Sequence, residues 1–159
     1  MILRPAEPRD AAQIAAIWND VIETSAATFT TLHKTPEGLV ADMAARGPAF
    51  QVAMNGDRVL GLATYSQFRG GPGYAHTMEH SIQLAPEARG RGVGRALMVA
   101  LEHVARTEGV HSLWAGVSGE NPGGVAFHQA LGFSEIARLP EVGFKFGRWM
   151  DLILMQKIL

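Results

Sequence analysis

The chain has 159 residues, with 14 Lys and Arg against 15 Asp and Glu, a net charge of −1 and no cysteine. Its length suits one domain, and we expect residues 1–159 to form it. Its scattered basic residues do not form the footprint of a nucleic-acid-binding protein, and no apolar run is long enough to span a membrane. Without cysteine, disulfides and thiolate chemistry are excluded. The N-terminal residues lack a signal peptide's apolar core, so we expect a cytoplasmic protein.

Apolar periodicity predicts the elements of the first part of the chain. A short strand over residues 2–4 precedes a helix whose apolar residues recur at helical spacing over residues 14–22, with Asp10 as the expected N-cap. Thr35 and Pro36 are typical of a helix N-terminus. They predict a second helix that ends near residue 47.

A hairpin and a long strand follow. Two strands, residues 50–54 and 58–65, flank Asn55-Gly56, a dipeptide preferred in tight hairpin turns. A glycine-rich loop over residues 68–74 leads into a strand from about residue 75 to 84, which Pro86 ends.

The remaining elements alternate between helix and strand. A helix over residues 96–106 is followed by Gly109, a suitable C-terminal cap. The pattern then predicts a strand at 110–117, a helix at 122–131, and two final strands at 133–137 and 149–155. The predicted order is one strand, two helices, three strands, a helix, a strand, a helix and two strands.

The segment Arg89-Gly90-Arg91-Gly92-Val93-Gly94 lies between the strand predicted at residues 75–84 and the helix predicted at residues 96–106. Alternate glycines let a ligand approach the backbone, and N–H groups that open onto a helix N-terminus suit phosphate oxygens. A dinucleotide fingerprint would need glycine at Arg95, and the string of a nucleotide-binding P-loop is absent. The segment therefore predicts a phosphorylated ligand bound by a different loop.

The spacing R-x-x-G-x-G, formed by Arg89, Gly92 and Gly94, resembles the pyrophosphate loop of the GNAT superfamily of N-acetyltransferases, which receives coenzyme A. The order of predicted elements is also similar to the GNAT fold over essentially the whole chain. The resemblance implies an α/β (α+β) protein with a mixed, mostly antiparallel sheet of six to seven strands. About four helices would flank its two faces.

Three further strings narrow the resemblance. They are Thr77-Met78-Glu79-His80-Ser81, Asn121 with residues 127–133, and the segment 142–151. Together they resemble the phosphinothricin and methionine sulfoximine acetyltransferases. The resemblance implies transfer of an acetyl group from acetyl-CoA to the α-amino group of a small amino-acid-like substrate, without a metal cofactor, by a homodimer whose active sites lie near the subunit boundary.

Acetylation of an α-ammonium group requires a base, because its nitrogen must lose a proton before it attacks a thioester. Glu79 is the candidate. On a strand, Thr77, Glu79 and Ser81 share one face and His80 points to the other. If the first face lines the cleft, Glu79 points into it and His80 points away. The alternative is that Glu79 is a solvated strand residue.

Asn121 and His128 are the other candidates near the reacting groups. By resemblance, Asn121 contacts the pantetheine or pyrophosphate part of the coenzyme, although capping a helix is the common role of Asn before one. His128 stands where many relatives carry a tyrosine thought to protonate the departing thiolate. It could act as an acid, orient the amine or be a buried core histidine. The family often has serine where Gly124 stands, so one coenzyme hydrogen bond is expected to be absent.

The resemblance also assigns binding residues. The backbone of Ile82, Gln83 and Leu84 would bind the pantetheine arm, and the pyrophosphate would be bound by the loop residues Arg89, Gly90, Arg91, Gly92, Val93, Gly94 and Arg95. For the acceptor, Arg69 can hold a carboxylate in bidentate fashion, and Phe68 and Tyr74 can enclose a side chain. Pro72 and Gly73 would contribute backbone contacts. A solvated Arg69 is the alternative.

Several interpretations are open from the residues alone. Lys145, Trp149 and Asp151 could wall a substrate pocket, or Trp149 could pack in the core or a dimer interface. The string His76-Thr77-Met78-Glu79-His80 fits the H-x-x-E-H zinc signature, but this needs a helix, because four residues of strand span about 13 Å. Two further alternatives concern the function. The acceptor could be a protein N-terminus or a polyamine, or the protein could be a non-catalytic acyl-CoA sensor.

Overall fold

A computed structural model describes all 159 residues. Seven strands form one sheet: β1 (Ile2–Pro5), β2 (Phe50–Asn55), β3 (Arg58–Gln67), β4 (Thr77–Leu84), β5 (Ser112–Ser118), β6 (Ser134–Lys145) and β7 (Arg148–Ile158). The four helices are α1 (Ala11–Thr24), α2 (Pro36–Arg46), α3 (Val93–Thr107) and α4 (Pro122–Ala130). The strands lie in the order β1-β2-β3-β4-β5-β7-β6, and only β4 and β5 are parallel. This mixed sheet confirms the predicted fold class. None of the helices combines the length and apolar character that a membrane span requires.

Two hydrophobic cores cover the two faces of the sheet. Helices α1 and α2 pack on one face, where Ile14, Phe50 and Leu62 are fully buried. Helices α3 and α4 cover the other face, on which Leu97 and Leu113 are fully buried. Burial of one such side chain stabilises the fold by about 1.5–3 kcal/mol. These cores fix the N-terminus of α3 beside the end of β4.

The two predicted helix caps have different outcomes. Thr35 caps α2 as expected, because its Oγ1 accepts a hydrogen bond from the Gly38 N–H at 3.0 Å. Asp10 occupies the N-cap position of α1, as predicted, but its side chain forms no capping hydrogen bond with the helix. Its carboxylate instead accepts from Arg4 at 2.7 Å and from the Glu7 N–H at 2.8 Å. Burial raises the pKa of Asp10, but these bonds outweigh burial and hold the pKa below its ordinary value.

Several boundaries differ from the prediction by a few residues, and glycine conformation explains two of them. Helix α3 begins at Val93 rather than at residue 96, because Gly92 adopts the left-handed conformation (φ +79°) and forms its N-cap. The hairpin loop consists of Gly56 and Asp57, since Asn55 still pairs with Arg58. Positive φ at Gly56 (+58°) explains why the turn centres there.

The C-terminal hairpin is longer than predicted. Strand β6 continues to Lys145, and β7 starts three residues later, after a turn in which Phe146 and Gly147 both have positive φ. Register shifts at 135–137 and 139–143 interrupt the alternation of buried and exposed residues along β6. Period-two reasoning fails there, because each irregularity moves side chains to the other face.

The parallel pairing of β4 and β5 is short. It joins Thr77–His80 to Ser112–Ala115 and then stops. Beyond that point, residues 81–84 stay paired with β3 and residues 116–118 stay paired with β7. The two strands therefore diverge, and their facing backbone groups have no strand partner. This gap opens the centre of the sheet.

Candidate active site

A large cleft, of about 840 Å³, lies where β4 and β5 diverge. One wall comes from α1 and the segment after it: Trp18, Val21, Ser25, Ala27, Thr28, Phe29, Thr30 and Lys34. The strands and α4 supply most of the rest: Glu79, His80, Ser81, Ile82, Gln83, Leu84, Ala115, Gly116, Val117, Ser118, Asn121, Gly123, Gly124, Phe127, His128 and Leu152. Arg89 closes one end. The cleft thus contains the predicted base, the predicted acid and part of the predicted coenzyme site.

Glu79 points to the α1 side of the sheet and lines the cleft, on the opposite face of β4 from His80, as the strand parity of the two residues predicted. A Cβ at Gly116 would lie 3.2 Å from Glu79 Oε2, so the glycine leaves room for the carboxylate. No protein group donates a hydrogen bond to this carboxylate, and burial raises the pKa of Glu79. A desolvated, unpaired carboxylate with a raised pKa is suited to accept a proton.

His80 points to the opposite face, but the expectation that it therefore lies away from the cleft is wrong. Its ring is buried against His128, with 3.0 Å between the two Nε2 atoms. Because the strands separate just beyond His80, the cleft reaches both faces of the sheet there. A glutamate on one face and two histidines on the other therefore line the same space.

Both nitrogens of each histidine are engaged. His80 Nδ1 lies 2.9 Å from the Trp114 carbonyl, and His128 Nδ1 lies 2.7 Å from the Gly124 carbonyl. Each carbonyl accepts a hydrogen bond, so each histidine must carry its proton on Nδ1. Two neutral rings then have no proton on either Nε2 atom with which to form a hydrogen bond between them. Burial opposes a third proton, because it lowers the pKa of His128 and that of His80 to about 3. The role of His128 as an acid stays a prediction. It requires His128 to replace one of these two contacts with a contact to another group.

The glycine loop borders a second cavity of about 240 Å³, which shares Leu84, Arg89 and Phe127 with the large cleft. Gly90 and Gly92 have positive φ, whereas a Cβ at Gly94 would lie 3.1 Å from the ring of Phe127. The glycines therefore serve turn geometry and close packing respectively.

The first turn of α3 supplies unpaired donors to this end of the cleft. Its N–H groups, from Val93, Gly94 and Arg95, precede the first intrahelical bond and are available to an anion. The side chain of Val93 is buried, so only its backbone can contribute. Arg91 is exposed and donates to the Glu87 carbonyl at 3.3 Å.

Asn121 has the capping role that the sequence left open, and it also lines the cleft. Its Oδ1 accepts a hydrogen bond from the Gly124 N–H at 3.0 Å. A Cβ at Gly124 would lie 2.5 Å from Asn121 Nδ2, so a serine at this position would displace the asparagine. The position of Asn121 therefore requires a residue without a side chain at 124, and this explains why no hydroxyl is present there.

The predicted acceptor loop lies beside the cleft rather than in its wall. None of Phe68, Arg69, Pro72, Gly73 and Tyr74 lines the cleft. Phe68 stacks on Trp114, with ring centroids 5.3 Å apart. The Arg69 side chain is exposed, with its guanidinium 5.8 Å from the Tyr74 ring. Because Trp114 is the β5 neighbour of Glu79, this loop borders the Glu79 end.

The sequence reasoning missed the wall made by residues 25–30, which we call the acceptor-side segment. Lys145, only 2% exposed, holds it: its Nζ donates to the carbonyls of Ser25 at 2.6 Å and Thr28 at 2.8 Å. Burial lowers the pKa of Lys145. Phe29 packs so closely over Gly143 that a Cβ at this position would collide with its ring. Residues 142–151 thus shape the cleft indirectly, because they hold residues 25–30 in place. In the sequence, this string was the only indication of the wall that residues 25–30 form.

The other residues of that string lie outside the cleft. Trp149 is 61% exposed and packs against Phe144, which excludes a core position for it within the chain. Asp151 pairs with Arg138 at 2.9 Å and accepts from the Glu141 N–H at 3.0 Å. Neither side chain walls a substrate pocket.

The H-x-x-E-H string does not form the helix that its zinc signature needs. Residues 77–80 belong to β4, and His76 Nδ1 lies 3.1 Å from the Gly109 carbonyl. His80 faces His128 instead. The helical arrangement of the zinc signature, with both histidines on one face, is therefore not formed.

The sheet opens between two parallel strands, with a helix N-terminus suited to phosphate at one end of the gap and a desolvated carboxylate near the other, an arrangement that fits a transferase with a phosphorylated co-substrate. The model of the Acetyltransferase (GNAT) family matches residues 17–133. The chain belongs to this family, which confirms the resemblance found in its motifs.

Curated relatives match nearly the whole chain. L-amino acid N-acyltransferase MnaT from Escherichia coli is 36% identical over 159 residues, 98% of this chain and 92% of that protein. L-methionine sulfoximine/L-methionine sulfone acetyltransferase from Salmonella typhimurium is 35% identical, covering 98% and 93%. Phosphinothricin N-acetyltransferase from Alcaligenes faecalis is 35% identical, covering 98% and 81%.

Solved structures agree with the fold. Ribosomal-protein-alanine N-acetyltransferase from Brucella melitensis superposes with a TM-score of 0.94 at 38% identity, covering all of both chains. The yncA acetyltransferase from Salmonella typhimurium, solved with its cofactor acetyl-CoA, has a TM-score of 0.95 at 34% identity, covering 100% of this chain and 94% of that one.

We predict that Lys145→Met loosens the acceptor-side segment. The substitution leaves two carbonyls without their charged donor, and we expect a loss of about 2 kcal/mol of stability. Amide hydrogen exchange should accelerate at residues 25–30, with little change in α3. Arg148→Met is the matched control, because Arg148 forms an exposed pair with Glu120 in the same hairpin. Unchanged exchange at residues 25–30 would contradict the role of Lys145.

Proposed function

We propose that this acyltransferase moves an acetyl group from acetyl-CoA to the α-amino group of a small amino-acid-like acceptor. The observation that carries the proposal is a pair of adjoining cavities, with Glu79 in the large cleft and the open N-terminus of α3 beside the smaller one. Relatives named for amino acids, methionine sulfoximine and phosphinothricin support the acceptor class. A neighbour solved with acetyl-CoA supports the donor.

The residues at the donor end fit a coenzyme with a pyrophosphate. Positive-φ glycines at 90 and 92 keep side chains away from the N–H groups of the first turn of α3, and Arg89 adds a positive charge. The unpaired edge of β4 at Ile82, Gln83 and Leu84 offers backbone groups to an amide-containing arm. Asn121 lines the opposite wall.

The acceptor end supplies the base. Glu79 takes one proton from the ammonium group, and the freed nitrogen bonds to the acetyl carbon while the carbon–sulfur bond breaks. The nitrogen loses a second proton as the amide forms, and this loss balances the proton that the leaving sulfur takes up. The raised pKa of Glu79 shortens the gap to the pKa of the amine, which favours the transfer. His128 remains the predicted donor of the proton that the leaving sulfur takes up.

A protein N-terminus is the second candidate acceptor. It is supported by the similarity to ribosomal-protein-alanine N-acetyltransferase, a protein named for an alanine of a ribosomal protein. An N-terminal residue also presents an α-amino group, so the same base would serve it. The two acceptors differ in the group attached to the α-carbon, which is a free carboxylate in an amino acid and a peptide bond in a protein.

We also propose that the 159 residues act as a single catalytic domain, in the cytoplasm, and that two copies form a homodimer. The supporting feature is the hairpin of β6 and β7 at the edge of the sheet. It exposes about half or more of each of four large apolar side chains: Val142, Phe144, Phe146 and Trp149. Such a patch marks an interaction surface.

A panel of amines tests the proposed function. We expect acetyl-CoA-dependent thiol release with methionine sulfoximine, methionine sulfone, phosphinothricin or an ordinary amino acid, at a kcat/KM at least about tenfold above that for an alanine-starting peptide or spermidine. Gly92→Val is the control, because it combines strain at positive φ with a side chain in the loop. A preference for the peptide would favour the second candidate.

The pH dependence tests Glu79. Because the base must be deprotonated, activity should fall as pH drops through the Glu79 pKa, which lies above its ordinary value of 4.5. Glu79→Gln should lower kcat/KM by about 10²–10⁴-fold at neutral pH and remove this acid limb. Glu135→Gln, at an exposed position on β6, is the matched control. An acid limb that persists in Glu79→Gln would sink the assignment.

The proposed dimer is tested by the mass in solution. Trp149→Glu places a charge in the exposed hairpin patch and should shift the protein from two chains to one in sedimentation experiments. Val99→Glu, at an exposed position on α3, should leave the mass of the assembly unchanged. A wild-type protein that sediments as one chain would refute the proposal.

A further inference from the structure

Only two side chains with a permanent positive charge line the large cleft, Lys34 and Arg89. Arg89 also lines the smaller cavity beside the glycine loop, so it belongs to the pyrophosphate end. Lys34 follows the acceptor-side segment and shares the α1 wall of the cleft with Trp18 and Thr30. Of the two cations, Lys34 is therefore the one on the wall that includes the acceptor-side segment.

The position of Lys34 is fixed on both sides. Asn19 on α1 accepts from the Lys34 N–H at 2.7 Å and donates to its carbonyl at 3.0 Å. The Lys34 Nζ lies 4.5 Å from the centre of the Trp18 ring, within the range of a cation–π contact. The backbone and ammonium are thus held without any contribution from an anion.

Lys34 has no carboxylate partner. None of the ion pairs in the chain includes it. On α1, Glu23 pairs with the neighbouring His33 at 2.9 Å. Glu79 is the only carboxylate that lines the cleft, and it forms no ion pair either. The acceptor half therefore presents one unpaired anion and one unpaired cation.

This charge pattern is complementary to a free amino acid, which carries an ammonium and a carboxylate on the same carbon. Thr30 adds a donor to the same wall, because its Oγ1 accepts from the Leu32 N–H at 3.1 Å and keeps its own hydrogen free. A charged donor and a hydroxyl together suit a carboxylate. By contrast, Arg69, the carboxylate clamp predicted from the sequence, is exposed outside the cleft.

We propose that Lys34 binds the α-carboxylate of the acceptor and thereby selects free amino acids over amides and peptides. The proposal rests on the proposed function, since it presumes an acceptor whose amine reaches Glu79. Lys34 is then a specificity-determining residue. It orients the acceptor so that the amine, rather than the carboxylate, faces the base.

The test compares acids with amides. Lys34→Met should raise KM for the best amino-acid acceptor about tenfold or more, with a much smaller effect on the KM of its carboxamide and none on that of acetyl-CoA. Lys34→Arg should restore part of the affinity for the acid. Arg69→Met is the matched control and should affect acid and amide alike. Thermal melting checks that each variant is folded.

Equal losses for acid and amide in Lys34→Met, or an acid-specific loss in Arg69→Met instead, would overturn the assignment while the proposed function stands. Calorimetric titration of the acceptor into the protein saturated with coenzyme A provides a readout that does not need turnover. Binding of methionine sulfone should weaken about tenfold in Lys34→Met. If wild-type protein neither binds nor acetylates any free amino acid but acetylates an alanine-starting peptide, the proposed acceptor fails, and the Lys34 assignment fails with it.

Discussion

The short parallel pairing of β4 and β5 is the constraint on which the rest of the structure depends. It ends at His80 and Ala115, while each strand remains bonded to its other neighbour. A sheet held on both sides of the split cannot close it, so the gap persists as a cleft with unpaired backbone groups on its edges. Helix α3, fixed by its buried face, points its N-terminus at one end. The proposed donor and acceptor halves of the cleft therefore meet where the strands part.

The two halves of the cleft are built in different ways. The donor half is local: residues 82–95 run from the open strand edge through the glycines into α3. The acceptor half is assembled from distant parts of the chain, because Lys145 and Gly143 on β6 hold a segment more than a hundred residues earlier. Its wall also carries Lys34, fixed by Asn19. Few charged side chains line this half of the cleft, so Glu79 and Lys34 make the main contributions to its electrostatic potential.

Sequence reasoning succeeded where one local rule determines the geometry. Strand parity placed Glu79 and His80 on opposite faces of β4, and the Thr35-Pro36 signature located the start of α2. It failed where a second segment intervenes. The Asp10 side chain bonds to Arg4 rather than to the helix α1, and His80 reaches the cleft because the neighbouring strand departs. The bulges of β6 break the alternation of buried and exposed residues. The segment that carries Lys145 was therefore recognised as a motif, but its position in the fold was not predicted.

Motifs and periodicity in the sequence identify the family and the order of the elements, and they predict a phosphate-binding loop and a candidate base. Each of these depends on contiguous residues, in which spacing along the chain sets spacing in the fold. Only the tertiary structure decided that the two histidines engage each other, that Arg69 lies outside the cleft and that Lys34 lies within it. Those facts depend on which remote side chains meet across a split sheet. Long-range packing sets such meetings, and no local period encodes them.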